Sequence, residues 1–171
     1  MIARQNAFLR ALADANPAVF EMRTSTLEGP LHEGLYLRAP PSPTSPSASS
    51  SSSSSSSSED PQDPQALEAK LRARLGRGTG GGEFAHVHGE GSAHVTLSPG
   101  DAATAIRAGW AERHQMSGVG GPKLAMVPWG YVMVYAPREG EEGEWQAWKD
   151  VVMAGARYVA QGRGVEVVVP S

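Results

Sequence analysis

The apolar positions of this chain change period several times, and each change marks an element. Residues 1–20, MIARQNAFLRALADANPAVF, mix apolar positions with Arg4, Arg10 and Asp14. They read as a short amphipathic helix ended near Asn16–Pro17. AVFEMRTS then alternates, with Ala18, Phe20 and Met22 on one face, and GLYLRA (34–39) is a second short strand. Leu67, Leu71 and Leu75 in ALEAKLRARL recur every four residues as a helical stripe, broken by GRGTGGG. FAHVH and AHVTL form a strand pair, followed by a helix start at Ser98–Pro99–Gly100–Asp101. There Ser98 is the N-cap, Pro99 the first helical residue and Asp101 the capping-box partner. That helix should stop at Gly109, and WAERHQMSGVGGP reads as a glycine-rich loop. KLAMV and YVMVYA are expected to pair around Pro128–Trp129–Gly130. Trp145, Trp148, Val152, Ala156 and Val159 then follow a three-and-four spacing, with acids at the start and Arg157 near the end. VEVVV (165–169) is β-prone but terminal. The sum is an α+β fold: a mostly antiparallel sheet with two or three packed helices.

Composition changes this picture in one place. Pro43–Ser58 is almost entirely Ser, Pro, Thr and Ala, with unbroken serine from Ser49 to Ser58. It has no apolar surface to offset ordering entropy. Residues 41–65 therefore read as a disordered Ser/Pro-rich insertion. The N-terminal helix and strand pair (1–40) belong to the same domain as the core (66–171). The net charge of −3 lies before the core: up to Pro64 there are four basic and seven acidic residues, and the remainder is balanced. Without a basic stripe, nucleic acid is not an expected partner. The lack of cysteine excludes disulfides and thiolate chemistry. No apolar run approaches the ~20 residues that span a bilayer, so the chain reads as soluble and cytoplasmic.

Three of the five histidines fall in EFAHVHGEGSAHV, residues 83–95. Strand alternation sets Phe84, His86 and His88 on one face and Ala85 and Val87 on the other. The apolar faces align only if Val87 lies opposite Ala93 and Ala85 opposite Val95. That register leaves Gly89–Glu90–Gly91 as the loop, with Gly91 left-handed, and brings His86 opposite His94. A one-residue slip would dissolve the cluster. Three readings follow: a hydrogen-bonded polar sheet face, a divalent metal site, or imidazoles acting as general bases. The metal reading lacks a well-placed carboxylate, because Glu90 sits at the loop tip, and no metal ligand or cofactor is assigned. The glycine-rich GTGGGE and GVGGPK lack the phosphate-loop pattern, and no G-x-S-x-G elbow is present.

EFAHVH, SAHVTLS, GWAERH (109–114) and YVMVYAPREGEE (131–142) occur in this order with short gaps. The series resembles the fungal luciferase family, the enzyme of mushroom bioluminescence and its non-luminous relatives. The resemblance implies addition of dioxygen to a hydroxylated styryl-pyrone, 3-hydroxyhispidin, followed by loss of carbon dioxide and light. It implies no metal or organic cofactor, and an N-terminal membrane helix in many members. Luminous members look like GWGQRHPL where this chain has Gly109 to Met116, which changes the loop's charge and stiffness.

Cofactor-free oxygenation of a small planar enol needs a base, groups that stabilise a developing peroxide, and exclusion of water. His86, His94 and His114 are the candidate bases, with Arg113 stabilising the oxyanion. His88, Trp110, Tyr135 and Arg138 are the candidate substrate contacts. The expected partners are such a small molecule and dioxygen. The alternative is a non-catalytic relative that binds a small molecule or protein, with structural histidines, Trp110 as a core anchor and Arg138 in a surface ion pair.

Overall fold

The computed structural model describes residues 1–38, 75, 82–120, 127–161, 163 and 165–170. The expected insertion at 41–65 lies outside them. So do the helix at 66–75, apart from Leu75, and KLAMV, apart from Val127.

Three helices and six strands are found among the described residues, and the fold is α+β. In chain order they are α1 (Ile2–Ala15), β1 (Phe20–Thr24), β2 (Glu33–Leu37), β3 (Glu83–Val87) and β4 (Ala93–Thr96), then α2 (Pro99–Arg107), β5 (Ala111–Arg113), β6 (Tyr131–Val134) and α3 (Glu142–Ala160). The strands form one antiparallel sheet in the order β1-β2-β3-β4-β6-β5. Helix α1 packs on β1, β2 and β3, and α3 crosses β3 and β4. Ala85, Val87, Val95, Val132 and Val134 are buried in the core these helices share with the sheet. The three-and-four stripe of α3 is buried as expected. Trp145 and Trp148 stack with ring centres 5.3 Å apart, and Phe8 of α1 meets both edge-on at 6.0 Å. Helix α3 approaches β4 closely because Gly155 has no side chain: a Cβ there would lie 2.7 Å from Val95 Cγ1 and 2.9 Å from the Thr96 carbonyl.

Ser98 caps α2, accepting from the Asp101 amide at 3.0 Å, and Gly109 ends the segment at φ +78°. Two expectations need correction. The loop WAERHQMSGVGGP begins with an edge strand, β5, whose three residues are too few for periodicity to register. Consequently β6 is flanked by β4 and β5, and the described part of KLAMV, Val127, makes only a parallel bridge to Ser117. VEVVV joins no ladder. Instead Asn16, at the end of α1, holds it: Asn16 Nδ2 donates to the Val168 carbonyl at 2.9 Å, and the Val168 amide donates to Asn16 Oδ1 at 2.7 Å.

Candidate functional site

The β3–β4 register is the one the apolar residues select: Ala85 opposite Val95, His86 opposite His94, Val87 opposite Ala93. Gly91 takes φ +94°, and its carbonyl is tied to α1 by Gln5 Nε2 at 2.7 Å. The helices cover one face of the sheet, and the imidazoles gather on the other. His94 Nδ1 lies 3.2 Å from His86 Nε2 and 3.2 Å from His88 Nε2. Ring centres are 5.1 Å apart for His86–His94 and 4.4 Å for His88–His94. His86 is fully buried, whereas His88 and His94 are partly so.

Alternation fails at one position, and the failure shapes the site. The register between β2 and β3 shifts between Leu35 and Tyr36, so that Tyr36 faces Glu83 and Phe84 is the extra residue of a bulge. Phe84 therefore joins the core, 5.3 Å from Phe20, rather than the histidine face. The fully buried Glu83 carboxylate replaces it, lying over Gly34, whose missing side chain leaves the space. Glu83 Oε1 accepts from Ser25 Oγ at 2.7 Å and lies 2.9 Å from His86 Nδ1. Its Oε2 accepts from the Thr26 amide and Thr26 Oγ1, both at 2.9 Å, and from Tyr36 Oη at 2.8 Å. Burial alone would raise this carboxyl's pKa. The contacts from His86, Ser25 and Tyr36 outweigh burial and hold it at about 2, so Glu83 is ionised.

A second carboxylate comes from the β1–β2 connection. Glu28 Oε1 lies 3.4 Å from His86 Nε2 and 3.3 Å from His88 Nε2. Ser25 places both acids, since its hydroxyl donates to Glu83 and accepts from the Leu27 and Glu28 amides at 3.2 and 3.0 Å. The carboxylate missing from the hairpin is thus supplied from elsewhere. Neither Glu28 nor Glu83 was marked by any local pattern; only a pairing across 58 residues would have found Glu83.

These partners bear on where the ring protons sit. Glu83, 2.9 Å from His86 Nδ1, can only accept; with the ring proton on Nδ1, the Nε2 lone pair turns to the centre. His88 Nδ1 faces Ser92 Oγ at 2.8 Å and Glu90 Oε1 at 3.2 Å, and Ser92 Oγ itself donates to Glu90. His88 Nδ1–H is therefore the donor, which leaves its Nε2 lone pair beside His94. Burial, then the neighbouring His86, His88 and His114, lower the His94 pKa to about 3, so this ring is neutral.

His114 reaches the same face because β5 is a strand. Its amide donates to the Tyr131 carbonyl at 3.3 Å, and its ring meets His94 edge-on with centres 4.7 Å apart. Burial, then the neighbouring His86 and His88, lower its pKa. His114 Nδ1 accepts from the Met116 amide at 3.1 Å, so the neutral ring carries its proton on Nε2 and is a donor there. Buried Tyr131 lies 4.9 Å from the His94 ring, and its phenol is held neutral by burial and by Glu83 and Glu28. Tyr131 Oη and its neighbour Thr96 Oγ1 are buried without a hydrogen-bond partner among the described residues.

The remaining candidates lie elsewhere. Arg113 donates to the Ser117 carbonyl at 2.7 Å and sits 4.6 Å over the Trp129 ring, so its charge is engaged in the loop rather than aimed at the imidazoles. Trp110, Tyr135 and Arg138 are brought together, but in a cleft of about 260 Å³ also lined by Val134, Pro137, Glu144 and Trp148. Arg138 is paired there with Glu144, and Tyr135 Oη donates to Glu112 at 3.2 Å. Of the substrate contacts expected from sequence, His88 alone belongs to the imidazole centre.

Residues 81–155 match the family model described as Luciferase domain, a stretch that runs from just before β3 into α3 and contains His86, His88, His94 and His114. That stretch is under half of the 171-residue chain, and over it the sequence is similar to luciferase domains, in line with the sequence resemblance. No curated protein and no solved structure matches the chain. No helix among the described residues is long and apolar enough to cross a membrane.

Proposed function

We propose that this chain promotes the reaction of a small planar enol, of the pyrone-like kind used by fungal luciferases, with dioxygen at the imidazole centre. The observation that carries the reading is the convergence of three imidazole nitrogens with ionised Glu83 behind them. Two of those nitrogens, His86 Nε2 and His88 Nε2, present lone pairs to one point. Positive charge is what such a centre receives, and an enol's proton supplies it. Glu83 holds His86 in the tautomer that accepts this proton and stabilises the imidazolium formed. The enolate's carbon then gives two electrons to dioxygen, forming a carbon–oxygen bond and a peroxide anion. The peroxide takes up the proton held by His86, and His114, whose ring lies 4.7 Å from that of His94, would offer its Nε2–H to stabilise the charge.

Oxygen-electrode traces with 3-hydroxyhispidin test this. The account expects uptake by the wild-type chain and its loss in His86→Ala and His114→Ala, with Trp110→Ala in the separate cleft much less affected. Uptake that survives His86→Ala but fails in Trp110→Ala would place the chemistry in the cleft. A folded wild-type chain that consumes no oxygen would leave the non-catalytic binding reading in its place.

A further inference from the structure

We infer that His86, His88, His94 and Glu28 form the binding site of one divalent first-row transition-metal ion. Four donor atoms close a ring: His94 Nδ1 to His86 Nε2 is 3.2 Å, His86 Nε2 to Glu28 Oε1 3.4 Å, Glu28 Oε1 to His88 Nε2 3.3 Å, and His88 Nε2 to His94 Nδ1 3.2 Å. All four lie within 4.8 Å of one another. Donors arranged tetrahedrally around an ion at ~2.0–2.1 Å are separated by ~3.3–3.4 Å. The four adjacent separations around the ring match that spacing, and the two diagonal ones lie within 4.8 Å.

Hydrogen bonding alone does not account for this arrangement. His94 Nδ1 is equally close to two imidazole nitrogens, and a single hydrogen on it can serve only one of them. The Nε2 lone pair of the other imidazole is then left without a donor along its 3.2 Å contact. An ion at the centre engages all the lone pairs together.

The surrounding groups have the form of a metal site's supporting shell. His86 has Glu83 at its outward nitrogen, and His88 has Ser92 and Glu90. Outer carboxylates and hydroxyls of this kind fix the tautomer and orientation of ligating histidines. Three imidazoles and one carboxylate select Zn²⁺, Co²⁺, Mn²⁺, Fe²⁺, Ni²⁺ or Cu²⁺ over Mg²⁺ and Ca²⁺, which prefer oxygen. The Glu28 side chain is about one-third exposed, which gives the centre an open side. Ion binding goes beyond the oxygenase reading and would change one role in it: an ion held there would supply Lewis acidity to an enol oxygen, and His86 would serve as its ligand rather than as the base.

The test is calorimetric titration of the untagged full chain, stripped with a chelator, with Zn²⁺, Co²⁺ and Mn²⁺ in turn. The expected result is one ion per chain at micromolar affinity or tighter for at least one ion, with no saturable Mg²⁺ or Ca²⁺ binding. Glu28→Gln and His88→Ala should each weaken the ion at least tenfold while circular dichroism stays native, and His32→Ala should not. A folded wild-type chain with no saturable binding, or binding unchanged in both ligand variants, overturns the inference. A chain that binds the ion yet takes up no oxygen keeps this site and removes the oxygenase reading. Oxygen uptake by a chain that binds no ion does the reverse.

Discussion

Glu83→Gln separates the structural and chemical parts of the account. The carboxylate receives contacts from five donors: Ser25 Oγ, the Thr26 amide, Thr26 Oγ1, Tyr36 Oη and His86 Nδ1. A carboxamide of the same shape keeps one oxygen. The Thr26 amide can only donate, so that oxygen must stay at the Oε2 position and the new –NH₂ must face Ser25 and His86. The three bonds at Oε2 then fall from charge-assisted (~1.5–3 kcal/mol) to neutral (~0.5–1.5 kcal/mol), a loss of about 1 kcal/mol each. Reorientation at Ser25 offsets little of this, so the expected destabilisation is ~2–4 kcal/mol. For a chain of this length that is a Tm lower by roughly 5–15 °C. Facing a donor, His86 must also move its proton from Nδ1 to Nε2, removing one lone pair from the centre. Urea denaturation of the chelator-treated chain measures the first effect, and ¹⁵N NMR of labelled histidine reads the tautomer. A variant within 0.5 kcal/mol of wild type, with His86 still protonated on Nδ1, would refute the reasoning.

Other perturbations test separate parts of the fold. Gly155→Ala, which in an exposed helix stabilises by up to ~1 kcal/mol, should here cost ~1–3 kcal/mol in thermal or urea melts, because the new methyl meets Val95 and the Thr96 carbonyl. Ser98→Ala removes the α2 cap and should cost ~1 kcal/mol by the same assay. The hydrogen bond and charge of Arg138 hold Glu144 below the ordinary carboxylate range. Its contribution is therefore present above the unfolded pKa and fades as pH falls through the lower folded value. Glu144→Gln should flatten that part of the acid-stability curve by a small, salt-sensitive amount.

How much of this was legible in the sequence depends on how local each cause is. The hairpin register was readable because Ala85, Val87, Ala93 and Val95 can share a buried face in only one pairing. The α2 cap and the α3 stripe were readable for the same reason, since each is set by residues within a few positions. The bulge at Phe84 was not. Alternation assigns Phe84 to the histidine face, but the core by Phe20 takes the aromatic ring and the shift in register delivers a carboxylate to His86 instead. Glu28 sits in a connection with no period, and its role exists only once Ser25 has bent that connection over the sheet. β5 was hidden by its length, and with it the reason His114 meets His94. Arg113 was expected to stabilise an oxyanion by its residue type, and where such a cation is aimed depends on the loop, which sets that side chain against Ser117 and Trp129.

Oxygen addition at the imidazole centre is tested most directly by isotope labelling. The chain is given 3-hydroxyhispidin under ¹⁸O₂ in unlabelled water, and its products are read by mass spectrometry. The account predicts that ¹⁸O from dioxygen enters the products with wild-type protein and that His86→Ala abolishes the incorporation. Products that carry oxygen from water alone, or label that is undiminished in His86→Ala, would contradict it.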